Sequence, residues 1–154
     1  MRVVFTLTVF LFYLALALGQ TEKPTYDSTL AKSLGADEYG MKSYVFVILK
    51  TGSNKTTDRT YTDSCFSGHL KNIKRMVDSG DLIISGPFWK NENSYRGIFI
   101  LNVKTIEEAN RLLQTDPAIN ANLLEVELYT WYGSAALSEY LKIADKISLI
   151  HYYE

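Results

Sequence analysis

Histidine and cysteine, on which most metal and nucleophile sites depend, are nearly missing from this chain: 154 residues hold two His and one Cys. One Cys cannot form an internal disulfide, so stability must come from packing. Cys65 sits between Ser64 and Phe66, with no neighbouring cation to favour a thiolate, and reads as a quiet, partly buried residue. There is no Cys-x-x-Cys and no His-Glu-x-x-His, so neither a transition-metal site nor any other cofactor is expected. Gly80 and Gly86 stand alone, and no glycine-rich loop could cradle a phosphate. Basic charge is also short, with 16 Lys and Arg against 17 Asp and Glu. Nucleic-acid binding draws on an excess of cations, and none is present. Lys71, Lys74 and Arg75 form a local cluster that reads as a solvated helix face.

What is present begins with a segment unlike the rest. Arg2 is the only charge before Glu22, and residues 3–18 are apolar apart from Thr6, Thr8 and the Tyr13 phenol. Ala17-Leu18-Gly19 then supplies small residues before a polar stretch. This is the pattern of a secretory signal peptide over residues 1–19. The run of 16 residues falls short of the roughly 20 that span a bilayer, and a retained anchor is the alternative. A secreted or periplasmic chain with no membrane contact after cleavage is expected. Residues 20–42 read as a leader with a short helix near 28–34, residues 43–133 as the folded domain, and residues 134–154 as a C-terminal helical extension.

Residues 44–49, YVFVIL, form an unbroken apolar run suited to a central strand. Residues 51–64 are polar and read as a loop, within which Asn54-Lys55-Thr56 matches a glycosylation sequon. Asp63 or Ser64 is a candidate cap for a helix whose Phe66, Leu70, Ile73 and Val77 share one stripe. Taking Phe66 as zero, Leu70 lies about 40° to one side and Ile73 and His69 about 20° and 60° to the other. His69 therefore borders the apolar stripe, a place suited to proton chemistry or to a plain hydrogen bond. Gly80 suits the helix stop, DLIIS the next strand, and Gly86-Pro87 a closing turn. A polar loop at 90–94 and a strand over 95–103 follow. Thr105 and Glu108 then make a capping box for a helix reaching about Gln114, which Asp116-Pro117 stops. Residues 123–131 alternate, with Leu124, Val126 and Leu128 on one side. The order β-α-β-β-α-β predicts an α+β fold, the ferredoxin-like plait, with an antiparallel sheet and both helices on one face. Apolar residues on the other face predict a homodimer packed through it.

His69-Leu70, Gly80-x-Leu82, Gly86-Pro87, Gly97, Glu108-Ala109 and Asp116-Pro117 occur in one order along residues 44–132. In this the chain resembles the YciI-like (YCII-related) family of the dimeric α/β-barrel group. The resemblance implies a His-Asp dyad at His69 and Asp116, where a carboxylate would fix the tautomer of the imidazole for proton transfer. It also implies chemistry on cyclic or chlorinated aromatic molecules, with lactone isomerases among the wider relatives. Where the family carries a glycine after Asp-Pro, this chain has Asn120-Ala121-Asn122. No arginine stands shortly before His69, where the family often has one.

Two functions of different class follow. One is cofactor-free acid-base catalysis, of isomerase or lyase type, on a small organic molecule. His69 would carry the proton, Asp116 would orient it, and Phe88, Trp89 and Tyr95 are candidates to line the pocket. The other is a dimeric binding or structural protein using the same cleft without turnover. For Asp116 the residues alone favour a plain helix-end role, and for the aromatics ordinary packing.

Overall fold

The computed structural model describes residues 25–149. The expected signal peptide and the HYYE tail lie outside the described residues. The elements run α1 (Ser28–Leu34), β1 (Met41–Thr51), α2 (Arg59–Asp78), β2 (Leu82–Pro87), β3 (Tyr95–Leu101), α3 (Ile106–Leu113), α4 (Pro117–Asn120), β4 (Leu124–Ser134), a 3₁₀ helix (Ala135–Tyr140) and α5 (Leu141–Ile147). The strands form one antiparallel sheet in the order β2-β3-β1-β4. With α2 and α3 on one face, this is the ferredoxin-like plait.

The apolar run at 44–49 lies at the sheet centre because β1 pairs on both sides, with β3 and with β4. Val45, Val47 and Leu49 face the helices and meet Ile73, Met76, Ala109 and Leu113. Tyr44 faces the other way, with Ile83 and Ile100. Alternation thus feeds two cores from one strand. The capping box of α3 is complete: Thr105 Oγ1 accepts from Glu108 N, and Glu108 Oε2 accepts from Thr105 N.

Three local expectations are corrected. First, α2 begins at Arg59, capped by Asp58, whose Oδ1 accepts from Tyr61 N at 3.0 Å. Asp63 and Ser64 are helix interior. The polar residues 59–64 are exposed or half-buried, so no apolar period marks the opening turns.

Second, Gly86-Pro87 ends β2 and is not a turn. As β2 is an edge strand, the missing amide of Pro87 leaves no ladder bond unmade. Third, residues 135–140 are 3₁₀ before the α-helix begins. This segment crosses the second sheet face, where Leu137 packs on Tyr44, Ile83 and Ile100.

The close approach of two backbones sets the far end of the sheet. A Cβ on Gly52 would lie 2.1 Å from Asn122 O. Gly52 N donates to Leu123 O, and Asn54 N to Asn122 O, both at 2.9 Å. The Asn54 side chain adds a bond from Nδ2 to Ala121 O at 2.8 Å, so the sequon nitrogen is already engaged in the fold. Gly52→Ala must push two backbone segments apart. Urea unfolding is expected to show a loss of about 1–3 kcal/mol, the usual cost of overpacking, with α4 displaced.

Candidate functional site

The buried side of α2 is Cys65, His69, Asn72, Ile73 and Met76. Its centre is rotated by about 80° from the stripe Phe66-Leu70-Ile73-Val77. His69 is therefore not at the rim of the buried face but near its middle, 8 % exposed. The expected stripe has another use. Phe66, Leu70, Ile73 and Val77 line a cavity of about 720 Å³ between α2 and the β2–β3 edge. Leu70 is 40 % exposed for that reason.

The cavity exists because the sheet presents little there. Ser85 lies opposite Phe99 and Pro87 opposite Gly97, so small residues occupy the helix-facing side at this end. A Cβ on Gly97 would meet Gly86 O at 2.7 Å. The C-terminal segment closes one side, with Tyr140, Leu141 and Ala144 in the wall.

His69 and Asp116 meet at the inner side of this cavity. Their Nδ1 and Oδ2 are 2.6 Å apart, and Asp116 is fully buried. The other carboxylate oxygen, Oδ1, accepts from Ala118 N at 2.9 Å and Ile119 N at 3.3 Å. Asp116 is thus the N-cap of α4, with Pro117 at the first helical position. The helix-end role that the residues favoured is present, and the same side chain also holds the imidazole.

Gly68 makes the approach possible. A Cβ there would lie 2.8 Å from Pro117 Cγ, so α2 can rest on α4 only with no side chain at this point. Behind α4, Asn122 takes φ 52°, a left-handed conformation that Asn tolerates better than most non-glycine residues. It stands in the neighbourhood where the resembled family carries glycine.

The arrangement has a defined polarity. An ionised carboxylate only accepts, so the imidazole donates from Nδ1 and leaves Nε2 as its bare nitrogen. Nε2 has no hydrogen-bond partner among the described residues, yet no buried polar side-chain atom there lacks one. Nε2 is therefore reachable from the cavity that His69 lines. Phe99 stacks on the ring at 6.0 Å between centroids, and Phe66 meets it edge-on at 6.2 Å.

Asn72, one helical turn from His69, adds a longer contact, 3.5 Å from Nδ2 to Asp116 Oδ2. Arg75 Nη2 donates to both Asn72 Oδ1 and Thr115 Oγ1 at 2.8 Å, which fixes the amide with its NH₂ toward the carboxylate.

Sequence reasoning did not single out Asn72. Its only signal is the i, i+3 spacing from His69 on the face that proves to be buried. The three expected pocket aromatics are elsewhere: Phe88 and Tyr95 pack on each other, Trp89 is 94 % exposed, and none of them lines the cavity. Cys65 is buried, and its thiol pushes the neighbouring Tyr61 phenol above its usual pKa. Among the described residues no three His, Cys, Asp or Glu side chains converge as a metal site would need.

No protein-family model matches the chain, and no curated protein matches it. Among solved structures it is similar to the 5-chloro-2-hydroxyhydroquinone dehydrochlorinase TftG from Burkholderia phenoliruptrix, in complex with 2,5-dihydroxybenzoquinone. The identity is 15 %, the TM-score is 0.43, and the match covers 56 % of this chain and 92 % of that one.

The double role of Asp116 separates its variants. Asp116→Ala removes the cap and leaves buried donors on His69 and α4 unpaired, an expected loss of about 3 kcal/mol in urea unfolding. Asp116→Asn keeps an oxygen for the cap, and about 1 kcal/mol is expected. Equal losses from the two variants would mean that the cap of α4 contributes nothing to stability.

Proposed function

We propose that this domain is a cofactor-free acid-base enzyme of the isomerase or lyase type, acting on a small cyclic organic molecule held in the cavity. One observation carries the reading: a buried carboxylate 2.6 Å from His69 Nδ1, with Nε2 left open to a cavity. A volume of about 720 Å³ suits a small molecule, and the walls are largely apolar. In the proposed cycle Nε2 takes a proton from an activated carbon or hydroxyl of the substrate. Asp116 stabilises the imidazolium that forms. The same Nε2–H then returns the proton to a second position, or to a leaving group in an elimination.

The chain would act outside the cytoplasm after loss of residues 1–19, a location that the apolar run 3–18 supports. It would act as a homodimer through the second sheet face. Tyr129 and Trp131 remain exposed there, and Trp131 lies directly opposite Tyr44. Light scattering on residues 20–154 is expected to give the mass of a dimer, and a strict monomer would contradict that part of the reading.

The chemistry is tested with a panel of lactones and catechol derivatives, followed by ultraviolet absorbance and by deuterium uptake from solvent. Turnover by the wild type is expected for at least one of them. His69→Ala is expected to lower kcat by about 10²–10⁴-fold, the usual contribution of a general base, with KM little changed. Equal turnover by both proteins would remove His69 from the mechanism. Binding without turnover by the wild type would make the domain a binding module instead.

A further inference from the structure

Among the described residues the cavity wall carries one Lys or Arg side chain, that of Arg96. Arg96 on β3 is exposed at the mouth, and among the described residues its side chain makes no ion pair and no hydrogen bond. Its guanidinium lies 5.9 Å from the centre of the Phe66 ring. The opposite charge in the wall, Asp78, is already paired with Lys74 at 2.8 Å. Phe66 stands between Arg96 and His69 and touches both, with its ring 6.2 Å from the imidazole. The site thus has a proton-accepting end, an aromatic and aliphatic middle, and a cationic end with free donors.

We infer that the cavity selects small cyclic molecules bearing an anionic group, a carboxylate or phenolate, and that Arg96 is the residue that anchors it. The guanidinium offers five donors in a planar fork that fits a carboxylate in bidentate fashion. Its contact with the Phe66 ring limits where that fork can lie. The ring of the ligand then rests against Phe66 and Leu70, which puts its far side near Nε2 of His69. This deepens the acid-base reading and rests on the same cavity. It is read by binding alone, so either idea can fail without the other.

The test is calorimetric titration with two matched pairs, benzoate against benzamide and salicylate against salicylamide, at neutral pH and low salt. Each pair keeps the ring and changes the charge. Wild type is expected to bind each acid at least tenfold more tightly than its amide. Arg96→Gln is expected to abolish that difference, Arg96→Lys to retain part of it, and His69→Ala to leave it intact. Arg96 is exposed, and unchanged thermal unfolding checks that its variants are folded. Equal affinity for acid and amide, a preference that survives in Arg96→Gln, or no saturable binding of either acid would each overturn the inference.

Discussion

The buried carboxylate of Asp116 ties the chemistry of this protein to its fold. One oxygen caps α4 and the other holds His69 on α2. A charge taken fully out of water is costly unless every oxygen finds a donor. Here the donors come from two different elements, so the group is satisfied only when α2 and α4 are in register. The tautomer of His69 is therefore a consequence of tertiary packing. Gly68 against Pro117 and Gly52 against Asn122 are the two close contacts that make that packing possible. A side chain at Gly68 would separate the segments that the carboxylate joins, and one at Gly52 would push on the segment that follows α4.

The same helix separates a dry core from an open cavity. Toward the sheet centre, α2 presents Ile73 and Met76 to Val45, Val47 and Phe99. Toward the β2–β3 edge, Phe66, Leu70 and Val77 line the cavity, where Ser85, Pro87 and Gly97 leave room on the sheet; Phe66 and Val77 also pack on the cores, and Leu70 is the exposed member. His69 lies between the two regions, with Nδ1 on the buried side and Nε2 on the open side. An imidazole so divided has a fixed donor and an available acceptor, the condition for a general base. The polar links from Arg75 and Thr115 through Asn72 add a third point of support to the carboxylate.

Much of the scaffold was legible because its signals are local. The apolar run at 44–49, the Thr105–Glu108 capping box and the alternation of Leu124, Val126 and Leu128 each depend on neighbours in the chain, and the strand order followed from them. The start of α2 was not legible, since Asp58, Asp63 and Ser64 are all chemically fit to cap, and the opening turns carry no apolar period. The stripe on α2 is legible in part: Ile73 lies in the core and Phe66 and Val77 pack against buried residues, but Leu70 is exposed, because apolar residues mark the wall of a cavity as readily as a dry core. Asp116-Pro117 was read as a helix stop, and its link to His69 came only from family resemblance. A contact across 47 positions has no local trace. Arg96 and Asn72 carried none either, and the prominent aromatics Phe88 and Trp89 drew attention that their exposure does not justify.

The central claim is that Asp116 holds His69 in one tautomer with Nε2 free. Nitrogen-15 chemical shifts of the His69 ring, recorded on protein in which the imidazole is neutral, test it most directly. A protonated Nδ1 and an unprotonated Nε2 are the expected result, lost in Asp116→Ala. A ring protonated at Nε2, or one averaging between the two forms as a solvated histidine does, would contradict the account.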